Sequence, residues 1–593
     1  MFSFRNSRQP TNHDADGFRA GELDVKAALL SPGIAVAATV FVQIRDWSRN
    51  CLTSLLVGHN MRDVPSAKAA IRRLERGRDK TAGTRCISEG VKPRMRPGVP
   101  PRCSWKMGIF ALSMAAMFAG PLRAQNAGLD ANEVIRKAQA AIGGASVHSI
   151  QVIGVGTGSL FGQALEPDFV WPKLTYTRFI RAMDFENNSY REDVIRARGE
   201  LLGGGATPPF GLGGLLTIGL LKDDLCWNTA GPFVGPAPGQ LEARINDLWT
   251  TSPQGVLLAA KRYGAVAANK VVDGQTFTTL SFAIPRTLTA VVWLNHAGFV
   301  ARIDSRVSDA VLGDTDIVTS FEDYRDVEGL KFPMRLRQSQ AGTEVLDIAI
   351  QNVKVELPLR VDVPAGIRGA KPSINVQNVG SGVWFLEGPT HNSVTIEMKD
   401  QIVLVESPIS DGYAEQMFLA ANALVAGKKV GTVIATHHHF DHVGGLRYAA
   451  AEGAKLMVSS LALPFYEKVF ANPNTIHPDQ LAKSGRKPIL VGVDEGTVLS
   501  DDTQKIDIYE VRESSHSRGL LMVYVPKGRI LIEADEFQIP PGAAALPLPV
   551  GSEINLVENL NRLKLQVDTV LPLHSHALTG RELRVRTERP IQR

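Results

Sequence analysis

The segment Thr436-His437-His438-His439-Phe440-Asp441-His442-Val443-Gly444-Gly445 places four imidazoles and one carboxylate within six residues. Imidazole and carboxylate are ligands that suit zinc and similar first-row metals. The string reads H-x-H-x-D-H and follows the short, apolar, partly β-branched run 430–435, which predicts a buried strand ending at Thr436. Side chains alternate along extended backbone, so His437 and His439 converge while His438 points elsewhere. Gly444 and Gly445 open a predicted helix through Arg447 and Ala451.

Three further strings follow in order: Ser514-Ser515-His516-Ser517-Arg518-Gly519, the apolar run Ile530-Leu531-Ile532-Glu533-Ala534-Asp535, and Val570-Leu571-Pro572-Leu573-His574. Taken alone, Asp535 reads equally as a helix cap or turn residue. Together with H-x-H-x-D-H, the set resembles the metallo-β-lactamase fold superfamily of metal-dependent hydrolases, over about residues 374–593. The resemblance implies an α/β fold, a four-layer αββα sandwich. It further implies that His437, His439 and His516 hold one metal and that Asp441, His442 and His574 hold a second, with Asp535 bridging. Two cations so held would share a hydroxide, since coordination lowers the pKa of water from 15.7 to roughly 7. Asp441 would orient that nucleophile and is the expected catalytic residue. His576 is expected behind the ligands or facing substrate, and His391 and His477, in loops, are expected to be structural.

The resemblance implies two Zn2+ ions, although iron and manganese accept similar ligands. The diiron branch carries glutamate where this chain has His439, which favours hydrolysis. Sulfur dioxygenase relatives keep the histidines and use one iron. β-Lactamases with a cysteine at the second metal match poorly, because Asp535 takes that place. No local Ser-His-Asp or Cys-His arrangement competes with the metal reading.

A chain of 593 residues, 44% hydrophobic and 21% charged, is too long for one domain and ordinary in globular composition. The net charge of +5 is modest. Its basic excess lies largely before residue 110, with no nucleic-acid-binding motif beside it, so no nucleic-acid partner is expected. Residues 95–124 have a basic lead-in, an apolar core from Met107 and a small residue, Ala124, before Gln125, the architecture of a secretory signal peptide. Translation starting near Met95 or Met107 leaves residues 1–94 as an upstream artefact or a disordered extension. A membrane anchor over residues 27–44 is the rival reading, weakened by Ser31-Pro32-Gly33. Cys51, Cys86 and Cys103 precede the proposed cut, leaving Cys226 in the mature chain. The mature protein is therefore expected to be periplasmic or secreted, without a stable membrane span; its oligomeric state is not legible.

Residues 125–357 have the texture of a mainly antiparallel β (α+β) domain. A helix over 130–142 is predicted, with Asp130 as cap and Gly143-Gly144 as stop. Strand-like pieces follow at 277–282, 288–294, 300–306, 318–324 and 334–337. The pattern is similar, in texture alone, to the half-barrel of periplasmic lipoprotein carriers, and it reads as a structural or docking module. The glycine-rich stretch 202–214 is expected to be a loop rather than a phosphate cradle. Pro358 to Pro372 reads as the interdomain linker, assigned to residues 358–373. The resulting expectation is an exported dinuclear hydrolase acting on a small-molecule ester, thioester, lactone or amide. The alternatives are a lipophilic-ligand carrier with an idle hydrolase domain, or an iron sulfur dioxygenase. The loop 465–487 and the insert 540–549 are expected to frame the pocket.

Overall fold

Alternation of apolar and polar residues along Leu288–Leu294 buries Leu288, Ala290, Val292 and Leu294 on one face of a strand. The same logic repeats across a 13-stranded sheet running from edge strand Phe233–Pro236 to edge strand Val266–Val272. Every pairing in it is antiparallel, and all but one join sequence neighbours. The exception is Ser149–Ser159, which pairs with Thr343–Val355 and closes the first half of the sheet onto the second. The computed structural model describes residues 129–588 except 144–145, 201–202, 206–214, 232, 370 and 539–550. Expectations for residues 1–124, for Gly144, for most of the stretch 202–214 and for the insert 540–549 fall outside the described residues.

Helix Ala131–Ile142 begins where the Asp130 side chain accepts from the Asn132 backbone N–H, and it ends at Gly143, whose φ of 73° suits glycine. With Leu241–Thr250 and Pro253–Arg262 it packs its apolar residues into one core with the sheet. A buried arginine, Arg181, lies in that sheet among Glu192, Asp247 and the rings of Phe179 and Tyr190. Cys226 is buried beside Ala237.

The second part of the chain folds differently. One sheet orders Asn375–Gly380, Val383–Glu387, Ser393–Glu397, Ile402–Val405, Val430–Ile434, Lys455–Ser459 and Ile489–Val493, and its last four strands are parallel. A second sheet orders Thr497–Ser500, Lys505–Glu510, Leu521–Val525, Ile530–Glu533, Thr569–Pro572 and Leu578–Thr579. Val383, Phe385, Val394 and Val405 of the first share a core with Ile506, Ile508, Val523 and Ile532 of the second. Asp411–Asn422, Leu446–Glu452 and Leu463–Ala471 cover the outer side of the first sheet, and Gly551–Arg562 and Gly580–Thr587 accompany the second, burying Leu556, Leu560 and Leu583. The expected α/β class holds: an αββα sandwich preceded by a large, mainly antiparallel β domain.

The stretch between the sheets is strapped down. Ile367 is buried against Leu220 and Trp227 of the antiparallel domain. The segment after Leu463–Ala471 also docks there: Asp314 accepts from the Thr475 and Ile476 backbone N–H groups, and His477 pairs with Glu242. His477 lies in a loop, as expected, and there contacts Glu242 and Arg286 of the antiparallel domain. Among the described residues no helix is long and apolar enough to cross a membrane.

Candidate metal centre

Val430–Ile434 is buried throughout its apolar face and delivers the histidine run at its C-terminal end, where parallel strands of such sheets gather polar groups. A single helical turn, Phe440–Val443, follows His439, and Leu446–Glu452 starts after Gly445. The two glycines there are steric requirements. A Cβ on Gly444 would lie 2.2 Å from the Ile409 carbonyl oxygen, and one on Gly445 would lie 2.5 Å from the Ala414 Cβ. Close approach to residues 407–414 thus fixes where Asp441 and His442 sit. Asp535 follows Ile530–Glu533 with a φ of 64°, an uncommon backbone for a residue with a side chain. Buried Glu533 holds that turn by accepting from the Glu536 and Phe537 N–H groups. His574 lies just beyond Thr569–Pro572. His516 lies six positions past Lys505–Glu510, in a turn braced by Ser514 Oγ, and the Ser514–Glu536 hydrogen bond of 2.6 Å ties that turn to the one bearing Asp535.

The seven expected ligands converge. His437, His439 and His516 present nitrogens within 4.8 Å of one another, and a nitrogen each of His437 and His442 lies within the same distance of an Asp535 carboxylate oxygen. His439 Nδ1 lies 2.9 Å from His516 Nε2, and His574 Nε2 lies 2.9 Å from His442 Nε2. Asp535 stands between the groups: Oδ2 is 2.7 Å from His442 Nε2 and 3.5 Å from both His437 Nε2 and His516 Nε2, while Oδ1 is 3.3 Å from His574 Nε2. Asp441 Oδ2 lies 3.8 Å from His442 Nε2 and 3.9 Å from His574 Nε2. Asp441 is the most open of the seven, its side chain 34% exposed, and marks the mouth of the centre.

One expectation is corrected. His391 is not a bystander: Nε2 lies 3.2 Å from Asp441 Oδ2, and the ring stands 4.2 Å from that of His574. His391, Asp441, His442 and His574 together form a four-residue group able to hold a cation. The cause is tertiary. Asn392 donates to the carbonyls of Pro572 and Ser575, pinning the loop that bears His391 to the strand end that bears His574. The only sequence signal was a polar His-Asn pair shortly after the apolar strand Val383–Glu387. His438 stands apart, as alternation predicts. It is buried, faces Phe465, approaches Ser517 Oγ at 3.4 Å and lines a cavity of about 400 Å³ with Trp171, Phe440 and Lys468. His576 is exposed and lies outside the ligand groups.

The donor chemistry fits a metal. Four imidazoles that turn one nitrogen inward have a polar group near the other: Thr436 Oγ1 is 3.0 Å from His437 Nδ1, the Ala164 carbonyl is 2.7 Å from His439 Nε2, Glu406 is 3.3 Å from His442 Nδ1, and Thr390 Oγ1 is 3.0 Å from His391 Nδ1. Such outer partners set the tautomer and aim a ligating histidine. His437 Nε2, buried and facing the centre, has no hydrogen-bond partner. Burial, reinforced by neighbouring imidazoles, holds His437 and His439 well below their usual pKa, in the neutral form that ligates. Burial and His574 push His391 down to about 4. His442 goes the other way: burial opposes its charge, but Asp535 and Asp441 outweigh that and hold its pKa well above the ordinary value. Burial would raise Asp441 and Asp535, yet the surrounding imidazoles hold both well below the carboxylate range.

Residues 387–576 match the family model described as the metallo-beta-lactamase superfamily. Among solved structures, a metallo-beta-lactamase from Pontibacter korlensis is 16% identical, with 36% of this chain and 97% of that one covered and a TM-score of 0.28. A metallo-beta-lactamase from Hirschia baltica is 19% identical over 36% of this chain and 95% of that one, with a TM-score of 0.27. The mono-zinc form of FIM-1 from Pseudomonas aeruginosa is 18% identical over 37% and 95%, with a TM-score of 0.28. No curated protein matches this chain.

Proposed function

From the premise that residues 387–576 form a metallo-beta-lactamase superfamily domain, we propose that this protein is an exported, dinuclear, zinc-dependent hydrolase of a small ester, thioester, lactone or amide. The observation that carries the reading is the convergence of His437, His439, Asp441, His442, His516, Asp535 and His574 from four separate strings. His437, His439 and His516 would hold one ion, and Asp441, His442 and His574 the other, with Asp535 between them. Bound there, the ions would supply an acidified water as nucleophile and would polarise the bond under attack. The chain's own groups do the rest. Asp441, at the mouth, would accept a hydrogen bond from the incoming nucleophile and orient it. Buried His437, His439 and His442 exclude bulk water from the back of the centre, which strengthens every charge interaction there. Iron or manganese remains compatible with the same donors.

The test is metal content and turnover of the purified protein. Two zinc ions per chain are expected, with hydrolysis of at least one member of an ester, thioester, lactone and β-lactam panel, abolished by EDTA and by Asp441→Asn. Turnover surviving both treatments would overturn the reading. Copurifying lipid without metal-dependent turnover would favour a carrier, and one iron with oxygen consumption a sulfur dioxygenase. Export is checked by fractionating cells that express the full chain.

A further inference from the structure

The antiparallel domain reaches the metal centre through the segment 161–165. The Gly162 carbonyl accepts from the Phe440 N–H at 3.2 Å, the Ala164 carbonyl contacts His439 Nε2, and the Leu165 carbonyl accepts from the Arg518 N–H at 2.7 Å. Between these anchors the Gln163 Nε2 donates to Asp441 Oδ1 at 2.7 Å. We infer that Gln163 is a positioning residue for Asp441, so that the antiparallel domain completes the catalytic centre of its neighbour. The inference rests on the metallohydrolase reading above.

The geometry of Asp441 gives the reason. Oδ1 is taken by Gln163, while Oδ2 faces His391, His442 and His574 at 3.2, 3.8 and 3.9 Å. A carboxylate held by one oxygen presents the other to a cation in a single orientation. Without that hold, the most open ligand of the set could rotate or chelate through both oxygens. Gln163 is itself held. The Gly205 N–H donates to the Gln163 carbonyl at 3.0 Å, and a Cβ on Gly205 would lie 1.8 Å from Gln163 Oε1, so the carboxamide keeps this place only beside a glycine. The Gly204 N–H donates to the Ser515 carbonyl at 3.0 Å, next to His516. Phe161 packs edge-on against Phe440 and Trp171, centroids 5.1 and 4.6 Å apart, fixing the base of the segment. Groups around a metal ligand typically contribute about 10- to 100-fold to metal affinity.

The experiment compares wild type, Gln163→Leu and Gly205→Ala as full chains, by chelator competition for zinc, metal content, steady-state kinetics and thermal melting. In Gln163→Leu, one of the two zinc ions is expected to bind about 10- to 100-fold more weakly. The other is expected to stay at wild-type affinity and kcat to fall, with the metal-free melting temperature unchanged. Gly205→Ala, which touches no ligand, is expected to reproduce the same site-selective loss more mildly; it decides the matter should Gln163→Leu not fold. Loosened docking alone would weaken both ions together. If both zinc affinities and kcat stay within twofold of wild type in whichever variants fold, or if both ions weaken equally, the positioning role is wrong while the hydrolase reading stands. If wild type itself takes up fewer than two metals, the hydrolase reading fails and this inference with it.

Discussion

The two regions of this molecule bury charge by opposite rules. In the antiparallel domain a buried cation meets carboxylates directly: Arg181 sits between Glu192 and Asp247. In the sandwich, Asp441 and Asp535 face a ring of imidazoles, and several inward nitrogens crowd one another as well as a carboxylate. In the first arrangement opposite charges meet directly, with no added ion between them. The second leaves the inward-facing His437 Nε2 buried without a hydrogen-bond partner, a place that a cation would fill. Topology follows the same division. Neighbour-to-neighbour antiparallel pairing keeps contacts local, whereas the parallel strands ending at Ile434 and Pro572 bring residues more than a hundred positions apart to one place.

Mutations should separate the two rules. The largest effect is expected at the centre: His439→Ala should cut turnover by more than about 100-fold, the upper figure for merely peripheral partners, with zinc content falling and the thermal melt of the metal-free chain little changed. Arg181→Ala should instead leave zinc content of the folded fraction intact and lower stability by about 3–5 kcal/mol, the cost of orphaning buried carboxylates, read by denaturant unfolding. If Arg181→Ala strips zinc as thoroughly as His439→Ala, the contrast between the regions collapses. Gly445→Ala should cost about 1–3 kcal/mol through overpacking against Ala414, with a matching loss of metal if placement of His442 depends on that contact. Asp314→Ala, which removes the acceptor for Thr475 and Ile476, should cost about 1 kcal/mol and expose the segment 472–479 to proteolysis. The smallest effect concerns acid. The Arg335 hydrogen bond holds Asp347 below the usual carboxylate range, so its contribution is whole above the ordinary aspartate pKa and fades as pH falls toward the depressed value. Asp347→Asn should flatten the acid limb of stability measured against pH and leave the neutral range unchanged.

The metal strings were legible because they are local. His437, His439, Asp441 and His442 advertise themselves within six residues, and the strand before them is a plain apolar run. The strands Leu288–Leu294 and Val300–Asp309 were equally readable from alternation. His391 was not legible, since one imidazole in a loop carries no periodicity; the Asn392 hydrogen bonds that carry it to His574 span about 180 positions. Gln163 left no trace at all, being a glutamine in a turn 278 positions from its carboxylate. The docking of the stretch read as a linker was not legible: nothing around Pro364, Gly366 and Gly369 marks Ile367, yet it packs into an apolar niche with Leu220 and Trp227, which removes all three side chains from water.

That buried isoleucine bears on how the molecule could ever move. A free tether lets two bodies drift and meet by chance, at an encounter frequency set by its length. A tether nailed down at its midpoint works as a strut, and any parting of the two domains must first pull Ile367 from its niche. A fragment cut out from residue 374 onward would lose that strut together with the Gln163 hydrogen bond to Asp441.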